Sequence, residues 1–155
     1  YIGRTFIQPS QHIRDFGVKI KFNPVKDVLN GKRVIVVDDS IVRGTTAKAR
    51  VQSLRKAGAK EVHMRISCPP HRHPCFYGID FPSSGELIAA NHAIEHIKHF
   101  LNVDSLGYLS HEGMLSCVSM QKEDYCTACF SGAYPQALPD DIDKYSMEKH
   151  KVIIL

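Results

Sequence analysis

The sequence predicts an α/β domain built on a mostly parallel, doubly wound sheet. Two segments with strand character flank one with helical character, and all three fall within about thirty residues. Parallel strands need a crossover connection, which is usually a helix. The order strand, helix, strand is that of a βαβ unit, so we expect both strands to lie parallel in one sheet.

The first strand is predicted over Arg33 to Val37. Its unbroken run of β-branched side chains is typical of a parallel strand that is covered on both faces. Thr45 or Thr46 is then expected to cap a helix that runs to about Ala57. Gly58 suits the position after that helix, because glycine readily takes the left-handed conformation found there.

The second strand, Glu61 to Ser67, alternates polar side chains with Val62, Met64 and Ile66. Further on, Ser83 stands three residues before Glu86, which is the spacing of a capping box and predicts the start of a helical region. The second half of that region has an apolar stripe formed by Ile94, Ile97 and Leu101. A third strand is predicted in "DSLGYLS" and a short helix in "HEGMLSCV".

Two parts are expected along the chain. Residues 1–121 would form one core that carries a flexible loop at residues 3–23, with a short strand near Val18 to Phe22. Residues 122–155 would form a more irregular segment that contains cysteines and ends in the apolar run "HKVIIL". Because the chain opens at Tyr1 inside a loop-like stretch, we expect it to be a piece of a longer protein.

Composition limits the kinds of partner. With 155 residues, of which 43% are hydrophobic, the chain is long enough for one ordinary core. Its formal charge of +4 and nine scattered histidines form no basic stripe, so no nucleic-acid partner is expected. No apolar run reaches the length of a membrane span and no secretory leader is apparent, which predicts a cytoplasmic protein without a membrane partner.

The most informative stretch is "VIVVDDSIVRGTT", in which Asp38 and Asp39 follow an apolar strand. Two adjacent carboxylates repel each other, which suggests a cationic or polyhydroxylated partner at the strand end, where open α/β sheets bind ligands. Gly44 permits a close backbone approach, and Thr45 and Thr46 lead into a helix N-terminus that favours a phosphate group. A sugar phosphate would satisfy both features, although the dipeptide alone is equally compatible with a solvated loop.

The whole stretch resembles the phosphoribosyl pyrophosphate (PRPP) loop of the type I phosphoribosyltransferases. Other segments are similar to one family, the glutamine-dependent amidophosphoribosyltransferases of purine synthesis. These segments are "GRTFIQPSQHIR", "HPCFYGID", "ELIAAN", "DSLGYLSHEGML" and "YCTACFSGAYP". The resemblance extends from Gly3 to Pro135, which is nearly the whole chain.

The resemblance implies a Rossmann-like type I phosphoribosyltransferase fold that is N-terminally incomplete, because the family's first core strand and pyrophosphate loop would precede Tyr1. It also implies an enzyme that makes 5-phosphoribosylamine, pyrophosphate and glutamate from PRPP, glutamine and water. A glutaminase domain upstream in the same chain would supply the ammonia, and the full-length protein would be a homo-oligomer.

The resemblance further implies roles for individual residues. Asp38 and Asp39 match the acidic pair that is associated with Mg²⁺ and the ribose hydroxyls. The substrate-binding residues that follow are Ser40, Ile41, Val42, Arg43, Gly44, Thr45 and Thr46. Arg4, Thr5 and Gln8, with the neighbouring Gln11, match the loop that closes over PRPP, and closure would keep water from an oxocarbenium-like carbon.

The cysteines predict a second site. Cys126 and Cys129 have the two-residue spacing that lets both thiolates reach one metal, a spacing shared by zinc knuckles, redox dithiols and iron–sulfur proteins. A reduced dithiol without metal is also compatible with this spacing. The resemblance implies a four-iron four-sulfur cluster held by Cys75, Cys126 and Cys129, with a fourth cysteine upstream of Tyr1.

The remaining cysteines and the histidines are interpreted as structural. Cys68 and Cys117 are expected to be small packed residues. His71, His73 and His111 could complete a zinc site, but histidines in loops are more often surface or supporting groups. Zinc therefore ranks below iron–sulfur.

Two other functions fit parts of the sequence. A non-catalytic regulator could sense PRPP with the same loop, but it would need neither the flexible loop nor cluster-type cysteines. A small thiolate–metal module would explain the cysteines and leave residues 34–46 unexplained.

Overall fold

The computed structural model describes residues 23–79 and 83–138. Within them lie three strands, β1 (Arg33–Asp38), β2 (Glu61–Ile66) and β3 (Ser105–Tyr108). The six α-helices are α1 (Lys26–Leu29), α2 (Thr45–Lys56), α3 (Ile88–Asn91), α4 (Ile94–Leu101), α5 (His111–Leu115) and α6 (Ala128–Ser131), and 3₁₀ turns occupy Ser84–Glu86 and Lys122–Asp124. The strand predicted near Val18 to Phe22 and the final apolar run lie outside the described residues.

The sheet is parallel, in the order β1-β2-β3. Val34 lies opposite Val62, and Met64 lies opposite Leu106, in the registers of the two strand pairs. Helix α2 connects β1 to β2, so the predicted βαβ unit is confirmed. The three strands predicted within the described residues are all present, as is the short helix predicted in "HEGMLSCV".

One face of the sheet carries the core. Helices α2 and α4 contact each other, α2 contacts β2 and α4 contacts β3. The predicted inward-facing residues of β2 are buried, and so are two residues of the apolar stripe on α4, while Ile94 is partly buried against them. The largest side chains with almost no exposure are Val51, Val62, Met64, Leu87, Ile97 and Leu101.

The opposite face of β1 is exposed in the described residues. Ile35 is 67% exposed and Val37 is 71% exposed, whereas Val34 and Val36 pack against the core. The prediction that β1 is covered on both faces is therefore wrong for the part of the chain that the structure describes. A β-branched run favours extended backbone, but it does not determine how many faces of the strand other elements cover.

The start of α2 differs from the prediction. Its N-cap is Gly44, which has a φ of 79° and offers no side-chain cap, so neither Thr45 nor Thr46 caps the helix. The predicted end is confirmed, because Gly58 follows the helix with a φ of 94°. The chain thus enters and leaves α2 through left-handed glycines.

The predicted capping box is also wrong. The Ser83 side chain makes no capping hydrogen bond, and the helical region is divided into a 3₁₀ turn and helices α3 and α4. The Glu86 carboxylate accepts a charged hydrogen bond from Arg43 instead. No helix in residues 23–79 or 83–138 is long and apolar enough to cross a membrane.

Candidate functional site

The carboxyl ends of the three strands meet at one edge of the sheet. Asp38 ends β1, and its carbonyl accepts a hydrogen bond from Ser67 N at 3.0 Å, just after β2. Leu109 N, just after β3, donates to Ile66 O at 2.9 Å. The acids, the residues after β2 and the end of β3 are therefore neighbours, as parallel topology requires.

Asp38 has a cationic partner within the chain. Arg50, on α2, donates from Nη1 to the Asp38 Oδ2 at 2.5 Å, and both side chains are largely covered, at 17% and 20% exposed. Burial raises the pKa of Asp38 above its usual value, although the Arg50 guanidinium and the Asp39 backbone N–H act in the opposite direction. Asp39 itself is exposed. The two acids therefore differ: one is tied to α2, while the other faces solvent.

The segment that follows, residues 40–46, is called here the phosphate loop, after the ligand expected there from the sequence. It ends at the first residues of α2, whose backbone N–H groups have no acceptor in a preceding helical turn. Thr45 and Thr46 are exposed there. Ser40 lies at the start of the loop, next to Asp39. The structure therefore places three hydroxyl side chains, a helix N-terminus and the exposed carboxylate of Asp39 along residues 39–46.

Three of the predicted substrate-binding residues make contacts with other parts of the protein. Ile41 is only 2% exposed and belongs to the core. The Val42 carbonyl accepts a hydrogen bond from Ile88 N at 3.0 Å. Arg43 Nε donates to Glu86 Oε1 at 3.0 Å. The contacts of Val42 and Arg43 hold the inner side of the phosphate loop against residues 86–88.

The three cysteines of the predicted cluster are near one tyrosine, Tyr134. Burial raises the pKa of Tyr134, and the thiols of Cys75, Cys129 and Cys126 add to that effect. Tyr134 Oη donates to Pro74 O at 2.7 Å, so the tyrosine connects the segment before Cys75 to the segment after Cys129. All five cysteines are free thiols.

Backbone contacts join the two cysteine segments. The Cys129 carbonyl accepts hydrogen bonds from Arg72 N at 3.0 Å and His73 N at 3.1 Å. Burial, and next the neighbouring Cys75, raise the pKa of the Cys129 thiol to about 11. Tyr77 N donates to Cys75 Sγ at 3.4 Å. Soft thiolates are the donors that iron–sulfur clusters use, so the chemistry of these side chains fits such a cluster.

A ready metal site is not formed by the described side chains alone. Within residues 23–79 and 83–138, no group of three or more His, Cys, Asp or Glu side chains is arranged to hold a metal ion. The described side chains therefore complete neither a zinc site nor a metal site formed by the three cysteines.

A half-buried thiol and a buried imidazole lie between the two sites. Cys68 Sγ is 3.8 Å from His71 Nδ1, and the His71 ring stacks at a tilt on Phe130, with centroids 4.7 Å apart. Burial raises the pKa of Cys68 to about 11, with further contributions from the carboxylate of Asp39 and from Cys129. Burial lowers the pKa of His71, which is 5% exposed, so of the two expected positions for this histidine the surface one does not apply.

Sequence reasoning missed four residues at these sites. Arg50, Glu86 and Tyr134 contribute the ion pairs and the hydrogen bond described above. The fourth is Tyr108, at the end of β3, whose pKa burial raises to about 12 and whose hydroxyl has no hydrogen-bond partner among the described residues. In the sequence, the only indication that Tyr108 belongs near the site is its position at the end of a predicted strand. Arg4, Thr5, Gln8 and Gln11 lie outside the described residues, so their roles stay predictions.

Proteins of known name are similar to this chain over most of its length. The chain is 58% identical over 142 residues to the amidophosphoribosyltransferase of Synechocystis sp., covering 92% of this chain and 29% of that protein. It is 50% identical over 145 residues to the amidophosphoribosyltransferase of Methanothermobacter thermautotrophicus, covering 94% of this chain and 31% of that protein. The chain is homologous to a segment of the amidophosphoribosyltransferases.

The solved structures agree. The glutamine PRPP amidotransferase of B. subtilis, complexed with ADP and GMP, is 50% identical to this chain, with a TM-score of 0.74 over 91% of this chain and 32% of the B. subtilis chain. The fold is therefore that of the type I phosphoribosyltransferase part of such an enzyme. No protein-family model matches the sequence. The chain spans about a third of the length of the relatives that it matches.

Proposed function

We propose that the protein containing this chain is a glutamine-dependent amidophosphoribosyltransferase of de novo purine biosynthesis. It would make 5-phosphoribosylamine, pyrophosphate and glutamate from PRPP, glutamine and water. The observation that carries the proposal is the placement of Asp38 and Asp39 at the carboxyl end of β1, directly before a loop that opens helix α2. The identity of 50% to 58% to named relatives supports it.

The proposal divides the ligand between two groups of residues. The Asp39 carboxylate is exposed and would accept hydrogen bonds from the ribose hydroxyls. The helix N-terminus at Thr45 and Thr46, with the Ser40 hydroxyl, would bind the 5-phosphate. Asp38 would orient this edge through its ion pair with Arg50 and add negative charge near the sugar.

These residues would act mainly by electrostatics and positioning. Loss of pyrophosphate leaves positive charge on the sugar ring, and carboxylates already fixed beside it stabilise that charge. A bound Mg²⁺ would neutralise the leaving pyrophosphate, and Asp39 is its best candidate ligand, with Asp38 second because its carboxylate already binds Arg50. Arg4, Thr5 and Gln8 are proposed to cover PRPP and exclude water.

The proposal includes a structural four-iron four-sulfur cluster. Cys75, Cys126 and Cys129 would supply three thiolates, and a cysteine upstream would supply the fourth. All three thiols affect the pKa of Tyr134, and this common neighbour supports the assignment. A cluster would add metal–ligand bonds to the backbone contacts that already join the two cysteine segments.

The proposed partners follow from the reaction. An upstream glutaminase domain would deliver ammonia, and we propose a homo-oligomer in the cytoplasm that binds no nucleic acid. Ammonia is a neutral nucleophile at the reacting carbon, so the site must admit it while excluding water.

The test is PRPP binding to the complete protein by isothermal titration calorimetry with Mg²⁺, together with pyrophosphate release. Asp39→Asn should weaken PRPP binding by about 2 kcal/mol, because it removes a charged acceptor. Asp27→Asn, an exposed acid on α1, is the matched control and should leave binding unchanged. Unchanged affinity in Asp39→Asn would refute the site. Binding of PRPP without glutamine-dependent pyrophosphate release would instead identify a PRPP-sensing protein.

A further inference from the structure

We propose that Glu86 is a positioning residue for the phosphate loop and that Arg43 acts through Glu86 rather than by contacting the phosphate. This inference rests on the proposed function. Arg43 is the only cation within residues 40–46, and a phosphate ligand would be its expected partner. In the structure its Nε donates to Glu86 Oε1 at 3.0 Å, across 43 positions of sequence.

A second set of contacts fixes the same side of the loop. Ile88 N donates to Val42 O at 3.0 Å. Gly44 lies so close to α3 and α4 that a Cβ atom there would be 3.0 Å from Ile88 Cδ1 and 3.1 Å from Phe100 Cε1. Lys48 Nζ lies 4.0 Å from the centroid of the Phe100 ring. The inner side of the phosphate loop therefore rests on residues 84–100 at three successive positions.

The turn that carries Glu86 is itself held in place. Asn91 Nδ2 donates to Ser84 O at 2.8 Å and to Leu87 O at 3.1 Å. Leu87 is fully buried, which anchors the residue next to Glu86 in the core. Glu86 is therefore a carboxylate on a fixed turn that can hold Arg43 in one direction.

The expected role is to order the loop before substrate binds. An ion pair between groups that are 38% and 47% exposed contributes little by itself. Its loss should allow the loop to sample other conformations, which lowers the fraction of protein that is competent to bind PRPP. We therefore expect a higher KM for PRPP, by about threefold to fivefold, and an unchanged kcat.

The experiment compares Glu86→Gln, Arg43→Gln and the double variant in the complete protein. PRPP affinity is measured by calorimetry, and kcat and KM by pyrophosphate release. If Arg43 acts only through Glu86, the double variant should bind PRPP no more weakly than either single variant does. Exchange of the two charges, Arg43→Glu with Glu86→Arg, should restore part of the lost affinity. Glu95→Gln removes an exposed ion pair with Lys98 on α4 and is the matched control.

Two results would overturn the proposal. Wild-type affinity in Glu86→Gln would show that the pair does not order the loop. A loss in Arg43→Gln of more than about thirtyfold, with additive behaviour in the double variant, would show that Arg43 touches the phosphate directly. Failure of the wild-type protein itself to bind PRPP would refute the proposed function, an outcome distinct from both.

Discussion

Substitution of Gly44 by alanine tests how the phosphate loop is built. Gly44 has a φ of 79°, and the Cβ atom of alanine would be directed at Ile88 and Phe100. The sequence suggested a different reason for this glycine, namely a close approach of phosphate to the backbone. The structure adds a second reason, because a side chain at position 44 would crowd Ile88 and Phe100. The two reasons predict different results.

The magnitude follows from two costs. A left-handed φ costs a residue other than glycine about 1–2 kcal/mol. Crowding adds about 1 kcal/mol, at the low end for overpacking, because Ile88 Cδ1 is a terminal atom and the Phe100 ring is partly exposed. Gly44→Ala should therefore destabilise the protein by about 2–3 kcal/mol.

Urea denaturation of the complete protein, followed by circular dichroism, measures the loss. Gly31→Ala is the control for the φ cost alone, because Gly31 has a φ of 71° and a Cβ atom there would have no neighbour within 4 Å among the described residues. Gly85→Ala should cost least, since Gly85 has neither a positive φ nor a close neighbour in the same part of the chain. Adding Ile88→Val to Gly44→Ala should recover part of the crowding cost.

The reasoning would be refuted if Gly44→Ala were as stable as Gly85→Ala. A second result would support the sequence-based explanation instead. Gly44→Ala would then lose PRPP affinity, adding Ile88→Val would not recover it, and the stability of the variant would stay close to that of the wild type. In that case the added methyl group would interfere with the ligand rather than with α3 and α4.

Three further predictions concern burial and charge. Asp39→Asn should lower the pKa of Cys68, because the Asp39 carboxylate disfavours the thiolate. Alkylation of Cys68 by iodoacetamide at pH 9 should then be faster than in the wild type. An unchanged pH profile of the alkylation rate would contradict this prediction. Met64→Ala should cost about 2–5 kcal/mol in urea denaturation because Met64 is fully buried, whereas Met120→Ala, at an exposed position, should cost less than about 0.5 kcal/mol. Anaerobic reconstitution of the complete protein should give about four irons per chain, and Cys126→Ser should lose most of them while Cys117→Ser does not; stoichiometric zinc in the wild type would refute the cluster.

The strands and the main helices could be predicted because their signals are local. Alternation of apolar residues in β2 and the apolar stripe on α4 reflect periodicities of 2 and 3.6 residues, which the chain carries wherever it folds. The two capping predictions failed for a different reason. A serine or threonine near a helix start is a common cap, but Gly44 and the 3₁₀ turn at Ser84–Glu86 set the local backbone here.

The partners of the site residues could not be read from the sequence. The pairs Arg43–Glu86 and Tyr134–Pro74 join positions 43 and 60 residues apart, so only the tertiary fold brings them together. The position of the acids, in contrast, follows from topology alone, because the carboxyl end of a parallel strand is where open sheets bind ligands. The sequence thus predicts a candidate site, but it could not show which residues of that site are held by contacts within the protein.

The adjacency of Asp38 and Asp39 has a geometric explanation. Successive side chains of a strand point to opposite faces, and Asp38 is the last residue of β1. Asp38 continues the face of Val34 and Val36, which α2 covers, and there it meets Arg50. Asp39 follows the strand in a bend of the chain, and its side chain is exposed. The repulsion between the two carboxylates is therefore offset on one side by a cation from the same βαβ unit, and the other carboxylate remains available to a ligand.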